Sequence, residues 1–108
     1  MLSETHFHAI ADATLLHLFD RLEDAFDRGE FEELDLNNGI LTIETTTGQT
    51  FIINKHAPSL QLWLASPLTG GHHFPYDEST KTWRTETTDL KTQLATELAS
   101  TANVKVIF

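Results

Sequence analysis

From Glu4 to Asp27, Phe7, Ile10, Ala11, Thr14, Leu15, Leu18, Leu22 and Phe26 recur at steps of three and four. That period predicts a helix over 4–27 with one stripe turned toward a core. Ser3 is placed to cap its start, Glu4 lies in its first turn, and Gly29 is placed to stop it. Beyond Gly29 the period falls to two. Leu34 and Leu36 alternate with Glu33 and Asp35, Asn37-Asn38-Gly39 signals a turn, and Ile40–Thr46 is rich in β-formers. Thr47-Gly48-Gln49 turns the chain into a strand over Thr50–Asn54, and Leu60–Ala65 begins another after Pro58. Pro67 and Gly70-Gly71 precede a short strand near His72–Tyr76, and Lys81–Thr85 follows the turn at Asp77–Thr80. Thr88-Asp89 opens a second helix carrying Leu90, Leu94 and Leu98, and the apolar tail Val104–Phe108 is extended and packs back on the domain.

The turns are too short for parallel crossovers, so the strands pair antiparallel. The predicted fold is α+β, a two-layer sandwich. N- and C-terminal helices pack on one face of an antiparallel sheet of about six strands. The opposite sheet face is left to solvent or a partner. No repeat or linker interrupts the chain, so residues 1–108 form a single domain.

Charge changes this picture more than length does. The chain carries −9, and all of the excess lies in residues 1–44, where 11 acids face only Arg21 and Arg28. Residues 45–108 hold five acids and five bases. Such a balance argues against nucleic acid and against an anionic membrane, and for a cation or a basic partner. The absence of cysteine excludes disulfides, thiolate zinc sites and a cysteine nucleophile. The longest apolar runs are a few residues, so none spans a membrane. Met1–Ala11 shows neither a secretory leader nor an Arg-rich transit segment. A bacterial cytoplasmic protein is therefore the expectation, with a processed organellar form as the alternative.

At 100° per residue, Asp12, Asp20, Glu23 and Asp27 fall opposite the apolar stripe, with Asp24 beside them. Glu30, Glu32, Glu33 and Asp35 continue the row into the first strand. Asp20–Asp24, Glu23–Asp27, Asp20–Glu23 and Asp24–Asp27 are like-charge pairs at helical spacing, and Asp24–Arg28 is the one favourable pair there. Their net repulsion is about 1 kcal/mol. Acids in the last turn also oppose the helix dipole, for a total penalty of about 1–3 kcal/mol against a typical stability of about 5–15. Two readings fit this row: a solvated face that keeps the protein soluble, or hard oxygen ligands for divalent or trivalent cations. Without an EF-hand loop or an H-E-x-x-H pair, such binding is weak, multi-site and poorly discriminating.

In the strand after Pro58, Leu60, Leu62 and Leu64 share one face, and Gln61, Trp63 and Ala65 the other. Leucines turned to the helices leave Trp63 on the open face, where an indole among polar groups is an interface anchor. The alternative puts Trp63 in the core.

Asn54-Lys55, Pro58, Gln61-Leu62-Trp63-Leu64, Ser66-Pro67 and Thr69-Gly70, with Trp83 downstream, together resemble the signature of the frataxin family, whose bacterial members are often called CyaY. Ala11-Asp12, Thr14-Leu15 and Leu22-Glu23-Asp24 leading to Asp27 resemble its first helix. His56 and Gly71 depart from the usual Gln and Pro. The resemblance implies the helix–sheet–helix sandwich and weak surface binding of ferrous and ferric iron, with no tightly held cofactor. It also implies docking on the cysteine desulfurase and scaffold proteins of iron–sulfur cluster assembly, whose rate such proteins modulate. By position, Asp12, Asp20, Glu23, Asp24, Asp27, Glu33 and Asp35 match the iron-binding ridge. Asn54, Lys55, Gln61 and Trp63 match the exposed sheet surface that contacts the partners. A monomer that oligomerises with iron fits the same picture.

Other chemistry is sparse. His72 and His73 are strand neighbours on opposite faces and cannot easily share an ion, whereas His6 and His8 could add a nitrogen ligand near the first helix. No G-x-S-x-G or phosphate loop is present, so catalytic residues are not expected. Carboxylates favour ferric iron, which leaves weak ferroxidase activity open. The competing functions are an acidic interaction module without a metal role and a small ferroxidase or iron store.

Overall fold

The computed structural model describes residues 2–108. Helix α1 spans Glu4–Asp27, with the Ser3 hydroxyl accepting from the His6 amide at 3.1 Å. Its buried stripe is Phe7, Ala11, Leu15, Leu18, Leu22 and Ala25. Phe26, expected in the stripe, is 38% exposed. Ala25 lies nearer the stripe's centre at 100° per residue, so it takes the inward position.

Six strands follow: β1 (Phe31–Asn37), β2 (Ile40–Thr45), β3 (Thr50–His56), β4 (Gln61–Ser66), β5 (Gly70–Asp77) and the two-residue β6 (Thr82–Trp83). They pair antiparallel in sequence order, as the short turns require. Asn38 and Gly39, both at positive φ (52° and 75°), form the two-residue turn between β1 and β2. The turn sets Leu36 opposite Leu41 and Leu34 opposite Ile43. A 3₁₀ turn over Ala57–Ser59 separates β3 from β4, and Leu60 leaves it at φ 56°. Strand β4 therefore starts at Gln61, one residue later than expected.

Helix α2 spans Leu90–Ala102, with the Asp89 carboxylate accepting from the Thr92 amide and hydroxyl. Both helices pack on one face of the sheet. Leu41, Ile43, Phe51, Ile53, Leu62, Leu64 and Phe74 meet Leu15, Leu18, Leu22, Leu94 and Leu98 in a single core. Trp83 is buried there, and its indole N–H donates to Thr14 Oγ1 at 2.9 Å. The tail returns along α1. Val104 is buried, Arg21 Nε donates to the Ile107 carbonyl at 2.8 Å, and His17 Nε2 lies 3.0 Å from the Phe108 carbonyl.

Candidate cation ridge and docking face

The α1 stripe fixes the ridge: with the apolar positions turned inward, Asp12, Asp20, Glu23, Asp24 and Asp27 are all exposed. No basic residue occupies the helix's last turn. The expected Asp24–Arg28 pair does not form, because the Arg28 guanidinium turns to Glu30 at 2.7 Å. Arg21 is taken by the tail. Asp20 and Asp24 line a cleft of about 270 Å³ with Arg21, Arg28 and Lys105. Among the described residues, however, no ion pair holds Asp20, Glu23, Asp24 or Asp27.

Strand β1 carries the row onward through a local irregularity. Phe31 pairs with Thr45 but Glu33 with Glu44, so Glu32 is the extra residue of a bulge. Glu32 and Glu33 are both exposed as a result, where strict alternation would turn one of them inward. Asp35, opposite Thr42, shares the open sheet face with Glu33. The cross-strand pair Glu33–Glu44 adds an acid that sequence reading did not single out. It was within reach, because a two-residue turn at Asn38-Gly39 sets 33 opposite 44. The oxygen donors suit a hard cation. Yet among the described residues no three acids or histidines converge closely enough to hold one ion. The ridge is a row of separated carboxylates rather than a cage.

On the open face, Asn54 lies opposite Trp63, and Trp63 opposite His73. The Trp63 indole is sandwiched between His56 (3.6 Å between centroids, 12° between planes) and His73 (4.0 Å, 10°). Its N–H donates to Gln61 Oε1 at 2.9 Å. Ser59 joins the group, donating to Gln61 Oε1 at 3.1 Å and lying 2.7 Å from His56 Nδ1. Rings from three adjacent strands that stack in parallel must stand on edge, so this surface offers ring edges, not an indole face. Three histidine and tryptophan positions, 56, 63 and 73, meet only through the register of β3, β4 and β5, a signal absent from the linear chain.

Lys55 does not share that face. It pairs with buried Leu62, and its ammonium lies 2.7 Å from Asp12 and 3.2 Å from His8 Nδ1. His8 Nε2 is also 3.6 Å from Glu4, while His6 is exposed. His72 and His73 occupy opposite faces as expected. The His72 ring meets Thr69 Oγ1 at 2.6 Å, and that hydroxyl donates to Glu97 at 3.0 Å. Glu97 is 4% exposed and also accepts from Ser66 and Gln93, so this buried carboxylate is satisfied. Asp77 is held below its ordinary 3.8, first by the Ser79 hydroxyl and then by the Ser79 amide.

An antiparallel sheet with both helices on one face, an acidic edge and an open polar–aromatic face defines the class of protein. A frataxin-like domain model matches residues 1–104, and the chain belongs to the frataxin family. The iron-sulfur cluster assembly protein CyaY of Pseudomonas aeruginosa is 41% identical over 85 residues, 77% of this chain and 73% of that protein. Frataxin from Psychromonas ingrahamii superposes with a TM-score of 0.83 at 24% identity, over 97% of this chain and 96% of that one. A trimeric frataxin from Saccharomyces cerevisiae, described as complexed with ferrous, superposes at 0.70 with 33% identity, over 86% and 84%. The chain spans about half the length or less of mitochondrial relatives from Leishmania donovani, Arabidopsis thaliana and Schizosaccharomyces pombe (38%, 50% and 53%). No helix among the described residues is long and apolar enough to cross a membrane.

Proposed function

We propose that this chain binds iron weakly along its acidic ridge and regulates, or supplies iron to, iron–sulfur cluster assembly by docking on the cysteine desulfurase and scaffold. The observation that carries this reading is the row of exposed ridge acids, four of them on one helix, that no base among the described residues pairs with. Membership of the frataxin family, the assembly role named for the Pseudomonas protein and the ferrous complex named for the yeast one support it. Iron is cargo here, held by Asp12, Asp20, Glu23, Asp24, Asp27, Glu33 and Asp35. Asn54, Gln61 and the edge of Trp63 meet the partner across the open face, and Lys55 meets it from the ridge side. The test is equilibrium binding of ferrous iron without oxygen, and of a cysteine desulfurase, to wild type and two variants. Asp20→Asn/Glu23→Gln/Asp27→Asn should lose iron, and Trp63→Ala should lose the desulfurase. Wild-type affinities in both variants would end the proposal.

The dispersed spacing of the ridge acids supports a second reading, an acidic module that docks on a basic protein without selecting a metal. In that case calcium, magnesium and iron act alike, and sodium chloride at matched ionic strength reproduces their stabilising effect.

A further inference from the structure

Lys55 joins the two candidate surfaces. Its neighbours in β3, Asn54 and His56, face the open side, while its own side chain turns toward α1. The stem crosses the β1–β2 turn at Gly39, where an added Cβ would stand 2.6 Å from Lys55 Cε. A residue without a side chain leaves that passage open. The Lys55 amide also donates to the Gly39 carbonyl at 3.1 Å. The ammonium then ends 2.7 Å from Asp12 Oδ1, with the lysine side chain 19% exposed and the aspartate 60%. A cation thus already sits on the first acid of the ridge, and it belongs to the protein itself. No ion pair among the described residues treats Asp20, Glu23, Asp24 or Asp27 in this way.

A divalent ion and an ammonium repel each other at contact distance, so they compete for the Asp12 carboxylate. We propose that Lys55 is a latch that couples the ridge to the docking face. A divalent cation taken by Asp12 displaces the Lys55 ammonium, which is then free on the ridge side, beside the Gly39 turn, for an acidic group on the partner. This rests on the reading that the ridge takes cations and the open face docks. The coupling is reciprocal: a partner that captures Lys55 uncovers Asp12 and raises its cation affinity by the same factor. The ion pair is only partly shielded from water, so the factor is about two- to five-fold.

The test pairs side-chain NMR of ¹⁵N-lysine protein, titrated with calcium as a diamagnetic hard cation, with oxygen-free ferrous affinities. The Lys55 Nζ resonance should move while those of Lys81 and Lys91 stay. Asp12→Asn should abolish that movement. Lys55→Met should bind ferrous iron about two- to five-fold more tightly at Asp12 and no differently at Asp27. A still Lys55 signal while the Asp12 amide responds, or an unchanged affinity in Lys55→Met, overturns the latch alone. A ridge silent throughout residues 12–35 overturns both the latch and the iron reading beneath it.

Discussion

Glu97 and the acids of α1 are the same chemical group in opposite circumstances. The Glu97 carboxylate is buried and accepts hydrogen bonds from Ser66, Thr69 and Gln93. It ties α2 to the β4–β5 turn, and every polar atom it meets belongs to the fold. Asp20, Glu23, Asp24 and Asp27 stand in water, three and four residues apart, with the two nearest arginines turned elsewhere. One arrangement satisfies a carboxylate for stability. The other leaves four unsatisfied at a cost to stability, which makes sense when the missing positive charge comes from outside.

The largest expected effect breaks the first half of that contrast. Glu97→Ala strands three donors and should lower unfolding free energy by about 2–4 kcal/mol in urea, with Glu97→Gln recovering part of the loss. The ridge should respond with the opposite sign. Asp20→Asn/Glu23→Gln/Asp27→Asn removes all four like-charge pairs and should gain about 1–2 kcal/mol at low salt, or about 5 °C in Tm. The gain should vanish in about 1 M salt, where screening extends only ~3 Å. A ridge variant less stable than wild type would show that these acids serve the fold after all.

Smaller effects sharpen the comparison. Millimolar divalent cations should raise the melting temperature of wild type by about 1–3 °C and leave the triple variant unmoved. His73→Ala opens one side of the Trp63 stack and should cost about 0.5–1.5 kcal/mol in thermal unfolding. At the low end is Asp77, whose folded pKa lies below the ordinary 3.8 through its bonds to Ser79. A depressed acid stabilises above its unfolded value, and that contribution fades as pH falls through the folded one. Ser79→Ala should therefore lower stability slightly at neutral pH and leave it unchanged in strong acid, so that less stability is lost as pH falls below 3.8.

The elements of this fold are legible in the chain because each is local. The 4–27 helix follows from a sustained period and a Ser3 cap, and the β1–β2 register follows from Asn38-Gly39, whose turn type admits one pairing. What escapes is set by strand register or by exact rotation. Ala25 replaces Phe26 inside because neighbours on a helix point about 100° apart and only one of them can face the core. Lys55 follows Asn54 in sequence yet faces the opposite side, since neighbours in a strand always do. The His56–Trp63–His73 stack needs three strands aligned at once, and Glu97 reads as a surface helix residue until Ser66 and Thr69 are brought against it. The acidic row itself was visible. Its lack of partners was not, because Arg28 could have turned to Asp24 as readily as to Glu30.

The most direct test of the central claim is a ferrous titration without oxygen, followed residue by residue through amide NMR in wild type and in the Asp20→Asn/Glu23→Gln/Asp27→Asn variant. Broadening confined to residues 12–35 in wild type and lost around residues 20–27 in the variant is the predicted result. Broadening that maps elsewhere, or persists undiminished once those carboxylates are neutral, would contradict it.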